Sequence, residues 1–246
     1  GDKGIYTLDS GSSYTAVVTR YGYVGQKKTF TAGEANKTVQ IKLEKAPDST
    51  LTDIKLPTDW PLFRKNDENN GVVDVRTPIT AEDTVLVWAN KLGEGYSGSA
   101  VGSPIIVGGY LYTYSGTTIM KVDKETGLIL KTGTMVGGSS FAINSATYAE
   151  GMIFIGLSNG RVQAFNAETL ESLWVYQDAL GGQPNCPIAY ADGYIYTGFW
   201  NSETKQANFA CLSVTDEDAT KANEAKLPTW TYTHNGFYWA GAYACE

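Results

Sequence analysis

The 246-residue chain has only three cysteines, three methionines and a single histidine, His234. That scarcity excludes a structural zinc site built from clustered Cys/His ligands and a dense disulfide framework. A Ser-His or Cys-His catalytic pair would have to use His234. No apolar run approaches the roughly 18 residues of a membrane helix, so membrane insertion is not expected. Basic residues are also few. Lys and Arg total 19 against 26 Asp and Glu, a net charge of −7, and such a surface repels phosphate backbones, so nucleic acid is not an expected partner. Hydrophobic residues at 42% and charged residues at 18% are in the globular range, and 27 Gly with 16 Tyr favour turns and strands.

The chain has no initiator Met and no signal-peptide pattern, so its start is expected to be a processed or cut end. Ile5-Tyr6-Thr7-Leu8, Tyr14 to Thr19, Lys28 to Thr31 and Thr38 to Leu43 alternate apolar and polar residues, predicting four short strands. Asp9 to Ser12 and Gly33 to Asn36 read as turns, and the sequon-like Asn36-Lys37-Thr38 as a polar turn. Tyr14-Thr15, Tyr21-Gly22-Tyr23 and Thr38 to Leu43 resemble the second half of a carboxypeptidase-regulatory-like or Cna-B-like β-sandwich, a module of secreted bacterial surface proteins. The expected organisation is a sandwich part at 1–46, a linker at 47–57 marked by Pro47 and small polar residues, and a second domain at 58–246.

Gly109, Gly151 and Gly193 stand 42 residues apart, each before an apolar strand beginning at Tyr110, Met152 or Tyr194. They read as hairpin turns. Upstream of each lies a small-residue strand: Ser103 to Val107, Asn144 to Tyr148 and Cys186 to Tyr190. Downstream, Val122 to Gly127 matches Phe165 to Leu170, where Asp123 or Asn166 begins a tight turn that Thr126 or Thr169 can close. Fourth strands end near Trp88, Trp174 and Trp230. Four strands per roughly 40 residues, repeated, predict a β-propeller.

Ala164-x-Asn166-x-x-Thr169-x-x-x-x-Trp174 resembles the tryptophan-docking repeat of quinoprotein-like (PQQ-repeat) propellers, and Trp60 to Asn66 resembles the segment that leads into their first blade. The expected fold is all-β: a partial propeller of four-stranded antiparallel blades, three recognisable with pieces of others, behind a small β-sandwich remnant. The end at Ala242 to Glu246 resembles Ala146 to Glu150, so the chain is expected to stop inside a blade. The resemblance implies, for the dehydrogenases of that family, pyrroloquinoline quinone, calcium, an Asp base and a disulfide between adjacent cysteines. Here Cys186, Cys211 and Cys245 are not adjacent. Cys186 on a first strand and Cys211 on a third would stand about 9–10 Å apart, so they read as buried free thiols.

Other candidates read as structure. Asn66 to Gly71 fails as an EF-hand because its twelfth position is Thr77. Asp216-Glu217-Asp218 reads as a solvated loop, His234 as an exposed loop residue beside Asn235-Gly236, and the three repeat tryptophans as packing between blades. The aromatics outside the repeat are the candidate ligand contacts: Tyr96, Phe141, Trp200, Phe237, Tyr238 and Trp239. No cofactor and no catalytic or metal residue is assigned. The expected function is a non-enzymatic binding or adhesion scaffold at the surface of a bacterial cell or secreted from it, with a carbohydrate or protein ligand. The alternatives are a PQQ-dependent dehydrogenase-like domain whose cofactor site lies in other blades, and a carbohydrate-binding propeller. Phe237 to Cys245, at the unfinished blade, is the expected edge for self-association.

Overall fold

The computed structural model describes residues 6–18, 26–33, 38–44, 59–66, 71–73, 86, 88–93, 101–139 and 144–243. Tyr21 to Tyr23, Asn36-Lys37, the linker residues, Asp67 to Asn70, Thr77, Tyr96, Phe141 and Cys245 lie outside them. The chain divides into two compact units, Gly1–Leu56 and Pro57–Glu246.

In the first unit, β1 (Ser13–Val18) and β2 (Gln26–Thr31) pair antiparallel, Ser13 opposite Thr31 and Val18 opposite Gln26. Cross-strand pairs hold this ribbon: the Tyr14 and Phe30 rings are 6.3 Å apart, and the Thr15 and Thr29 hydroxyls 3.0 Å. Two of the four expected strands are thus found. Tyr6 to Leu8 form none, because Tyr6 (80% exposed) and Leu8 have no core to face. Thr38 to Glu44 alternate in exposure as a strand does, yet join no ladder among the described residues; Gln40 instead accepts a bond from the Lys28 ammonium at 3.3 Å.

Among the described residues, the second unit shows three blades of four antiparallel strands each. Blade one is β3 (Ile105–Val107), β4 (Tyr110–Ser115), β5 (Thr118–Asp123) and β6 (Ile129–Thr134). Blade two is β7 (Thr147–Ala149), β8 (Met152–Leu157), β9 (Arg161–Asn166) and β10 (Ser172–Gln177). Blade three is β11 (Ala189–Ala191), β12 (Tyr194–Gly198), β13 (Gln206–Ser213) and β15 (Trp230–Asn235). The intervening β14 (Glu224–Lys226) leaves its own blade and pairs parallel with β10, giving blade two a fifth strand. The insertion read as a solvated loop therefore covers the neighbouring blade's open edge. His234 likewise lies in strand β15 opposite Ala207 rather than in a turn, though it is exposed as expected.

The 42-residue signal marks the first hairpin of each blade. Gly108-Gly109, Glu150-Gly151 and Asp192-Gly193 all have positive φ at both positions, 58° and 106°, 48° and 77°, 48° and 82°, the I′ geometry whose twist matches paired strands. The second repeated turn also recurs. Asp123 Oδ1 accepts from the Glu125 and Thr126 amides at 3.1 and 2.8 Å, and Asn166 Oδ1 from the Glu168 and Thr169 amides at 2.8 and 3.0 Å. The Thr126 bonds hold the Asp123 carboxyl below the usual carboxylate range.

Blade two is buried on both faces. From β8, Ile153, Ile155 and Leu157 pack with Tyr112, Tyr114 and Ile119 of blade one, while Phe154 packs with Trp174, Ile195 and Leu212 toward blade three. Successive side chains of a strand point to opposite faces, so a strand sandwiched between two sheets must be apolar throughout. That accounts for the unbroken run Met152-Ile153-Phe154-Ile155-Gly156-Leu157.

Each blade reaches into the next through a donor aimed at the residue after its third strand. Trp88 Nε1 donates to the Lys124 carbonyl at 2.8 Å, and Trp174 Nε1 to the Val214 carbonyl at 3.2 Å. A Cβ on Gly127 would come within 2.5 Å of the Trp88 ring, and φ there is +72°, so only glycine fits. Between blades one and two there is no tryptophan. Lys131, opposite Lys121, stands where Trp230, opposite Cys211, stands in blade three. The equivalent carbonyl, of Ala167, accepts instead from the Tyr112 hydroxyl at 3.0 Å. Lys121 is buried, its ammonium 4.1 Å from the Tyr110 ring centre and 2.7 Å from Glu168 Oε2. Burial lowers the Lys121 pKa, but the Glu168 bond and the neighbouring charges outweigh it and leave it raised.

Candidate functional site

Ahead of the blades, Trp60 bridges to β3: its N–H donates to the Ile106 carbonyl at 2.7 Å, and its carbonyl accepts from the Ile106 N–H at 3.0 Å. Tyr148 N–H then donates to the Pro61 carbonyl at 2.7 Å, so this lead-in segment lies along two inner strands in turn. Beyond it the chain folds back sharply. The Lys65 N–H donates to the Leu62 carbonyl at 3.0 Å and the Asn66 N–H to the Arg64 carbonyl at 3.1 Å. The second bond closes a γ-turn around Lys65 at φ +79°, next to Arg64 at φ +55°. Lys65 is buried, and its ammonium is held by the Val72 carbonyl.

A second such turn faces the first. The Ala240 N–H donates to the Tyr238 carbonyl at 2.8 Å around Trp239 at φ +61°. Positive-φ γ-turns are rare, and a bulky residue in this region costs about 1–3 kcal/mol, a strain that clusters at ligand clamps. The remaining non-glycine residues of positive φ, such as Glu150, Asn159, Leu170 and Asp192, belong to strand-connecting turns. Between the two strained turns and the start of β11 lies a pocket of about 370 Å³, within the size range of small-ligand sites. Phe63, Arg64 and Asn66 form one wall, Pro187 to Ala189 the floor side, and Tyr238 to Ala242 the other wall. The Arg64 guanidinium lies 5.3 Å from the Phe63 ring centre. It is exposed and is paired with no carboxylate of the described residues.

Of the candidate contacts, Tyr238 and Trp239 line this pocket, their rings 4.6 Å apart and 45% and 50% exposed. Trp200 supports them from behind: its ring is 5.1 Å from Tyr238, and its backbone bridges to Gln183. Phe237 turns away into the blade, 5.3 Å from Phe209 and against Gly198. Tyr96 and Phe141 fall outside the described residues. Arg64 and Pro187 carry no site signal in the sequence, where Trp60 to Asn66 is visible as a fold signal and Asn66 otherwise only as the start of the rejected EF-hand-like loop.

Of the groups that the quinoprotein resemblance implies, the metal cluster and the cysteine pair are not found among the described residues. Among them no three His, Cys, Asp or Glu side chains gather to hold a metal ion. Cys186 and Cys211 are free and buried, and burial pushes the Cys186 thiol up to about 11. Asp218 turns back onto the Thr220 amide and hydroxyl and pairs with Lys221 at 2.5 Å, while Glu217 grips the buried Lys226 at 2.5 Å. Among the described residues no helix is long and apolar enough to cross a membrane.

Solved structures similar to this fold include two alcohol-oxidising enzymes. A europium-containing methanol dehydrogenase is similar at 17% identity and a TM-score of 0.53, over 76% of this chain and 34% of that one. The quinohemoprotein alcohol dehydrogenase of Comamonas testosteroni is similar at 16% identity and 0.55, over 76% of this chain and 29% of that one. The chain thus spans about a third of their length, and the likeness is one of propeller fold. No curated protein matches the chain. Residues 74–203, just over half of the chain, match the family model described as outer membrane protein assembly factor BamB, and the chain belongs to that PQQ-repeat family.

Proposed function

We propose that this chain is a non-enzymatic binding module of a secreted or cell-surface bacterial protein, a PQQ-repeat propeller segment following part of a β-sandwich. The observation that supports it most is the pocket between the two strained turns. Its aromatic walls are partly exposed, while the docking tryptophan Trp174 is wholly buried in blade packing. Aromatic faces beside a polar group suit a carbohydrate ligand, whose ring carbons stack on them while the hydroxyls bond the rim.

An oligosaccharide array read with the intact chain and with Trp239→Ala tests this. The expected result is at least one bound glycan class, lost by ten-fold or more in the variant. Equal signals from both proteins across the array would refute it. A second reading, a PQQ-dependent dehydrogenase-like domain, draws on the fold shared with two alcohol-oxidising enzymes. Cofactor absorbance and alcohol-dependent dye reduction after adding pyrroloquinoline quinone and calcium would favour it over the scaffold.

A further inference from the structure

We infer that the ligand of this pocket is an acidic sugar, a hexuronate unit whose carboxylate meets Arg64 while its ring packs on Trp239 or Tyr238. The inference rests on the binding reading above and adds to it the charge of the ligand.

Three observations lead to it. Among the described residues that line the pocket, Arg64 is the charged one, and the chain as a whole carries −7. A cation facing a pocket of an otherwise acidic molecule favours an anion there, which the wider surface would repel. Secondly, the Arg64 guanidinium is unpaired with the described carboxylates and rests near the Phe63 ring. The planar fork of donors of a guanidinium matches a carboxylate through two parallel bonds. Thirdly, Arg64 and Trp239 face the pocket from turns held at positive φ. Strained backbone that aims a cation and an aromatic face into one cavity is placed at the cost of local stability, as ligand clamps are. A carboxylate fixed to a pyranose ring matches both groups at once, whereas a neutral sugar makes no use of the Arg64 charge and a simple carboxylate leaves the ring faces uncovered.

The test is isothermal titration of the intact chain with hexuronate oligosaccharides of galacto, gluco and manno configuration. Each is paired with its carboxyl-reduced counterpart, which keeps ring and linkage and replaces only the C6 carboxylate by a hydroxymethyl group. At least one acidic form is expected to bind ten-fold or more tightly than its reduced form. Arg64→Gln should abolish that ratio, Arg64→Lys should keep part of it, and Trp239→Ala should weaken both forms; circular dichroism checks that each variant folds. Equal affinity for acidic and reduced forms, or a ratio unchanged in Arg64→Gln, overturns the acidic-ligand inference and leaves the binding reading standing. If no form binds, the inference also fails, and the oligosaccharide array then decides the binding reading separately.

Discussion

Replacing Trp174 by alanine removes a buried contact between blade two and blade three. The side chain is fully buried, its indole N–H donates to the Val214 carbonyl at 3.2 Å, its ring lies 5.6 Å from Phe154, and the Lys226 ammonium sits 5.3 Å from it. Truncating a buried Trp to Ala costs about 3–5 kcal/mol, and leaving a buried carbonyl unpaired adds about 1–3. Loss of the aromatic face beside a buried ammonium adds about 0.5–2 kcal/mol. These overlap, so about 5 kcal/mol is expected, at about 2–4 °C per kcal/mol a fall in melting temperature of about 10–20 °C. The chain supplies its own control. Trp230 occupies the same repeat position, opposite Cys211, but is 45% exposed. With about half its ring already in water, Trp230→Ala should cost under about 2 kcal/mol. Urea titrations followed by circular dichroism measure both. Equal losses, or a Trp174→Ala loss of about 1 kcal/mol, would show that tryptophan docking does not hold these blades together.

Tyr112→Phe should cost about 1–3 kcal/mol in the same titrations, because it strands the Ala167 carbonyl at a blade junction without a docking tryptophan. The Lys121 bond holds the Glu168 carboxyl below its usual range and Lys121 is raised. The pair therefore stabilises the fold between the unperturbed values of about 4.3 and 10.4. Its contribution is lost as pH falls through the Glu168 pKa or rises through that of Lys121; thermal melts of Glu168→Gln should show a shallower acid limb than the parent. Burial pushes the Tyr114 phenol up to about 12, so its contribution is complete below about pH 10 and disappears above it. Alkaline melts of Tyr114→Phe should lose part of that fall. In a Cys245→Ser background, Ellman's reagent at pH 8 should find no reactive thiol until urea unfolds the chain, since Cys186 and Cys211 are both buried with raised pKa values.

The blades are legible because their signals are local. A Gly at the second position of a two-residue hairpin is demanded by φ there, so its 42-residue recurrence is a direct trace of the backbone. Asp123 and Asn166 mark their turns for the same reason. What reached across blades was harder to read. β14 is three residues long, Glu224-Ala225-Lys226, with no apolar alternation; its pairing to β10 is backbone bonding, and Lys226 is buried by the Thr215 carbonyl and Glu217 rather than by any hydrophobic pattern. Lys121 fails as a sequence signal in the same way, a charged residue buried against the Tyr110 ring whose ammonium is met by Glu168 of the next blade.

The pocket exposes a different limit. Tyr238 and Trp239 stand out because aromatics beyond a repeat need a reason to be there, but nothing in composition separates them from Phe237, whose ring is drawn into the blade against Gly198. The division is made by the backbone: the chain follows the sheet as far as Phe237, whose N–H still donates to the Phe199 carbonyl at 3.0 Å, and the turn around Trp239 then rotates the next two rings outward. Arg64 is aimed by the matching turn around Lys65, which can persist because Lys65 is itself buried and bonded to Val72. Strain of this kind has no sequence signature, since it is left-handed geometry imposed on residues that do not prefer it. The surrounding blades must supply the stability that holds it, and so the tightly packed junction at Trp174 and the loosely covered rings at Trp239 belong together: rigidity in the repeat is what allows an unfavourable conformation beside it to be kept, as the proposed binding requires.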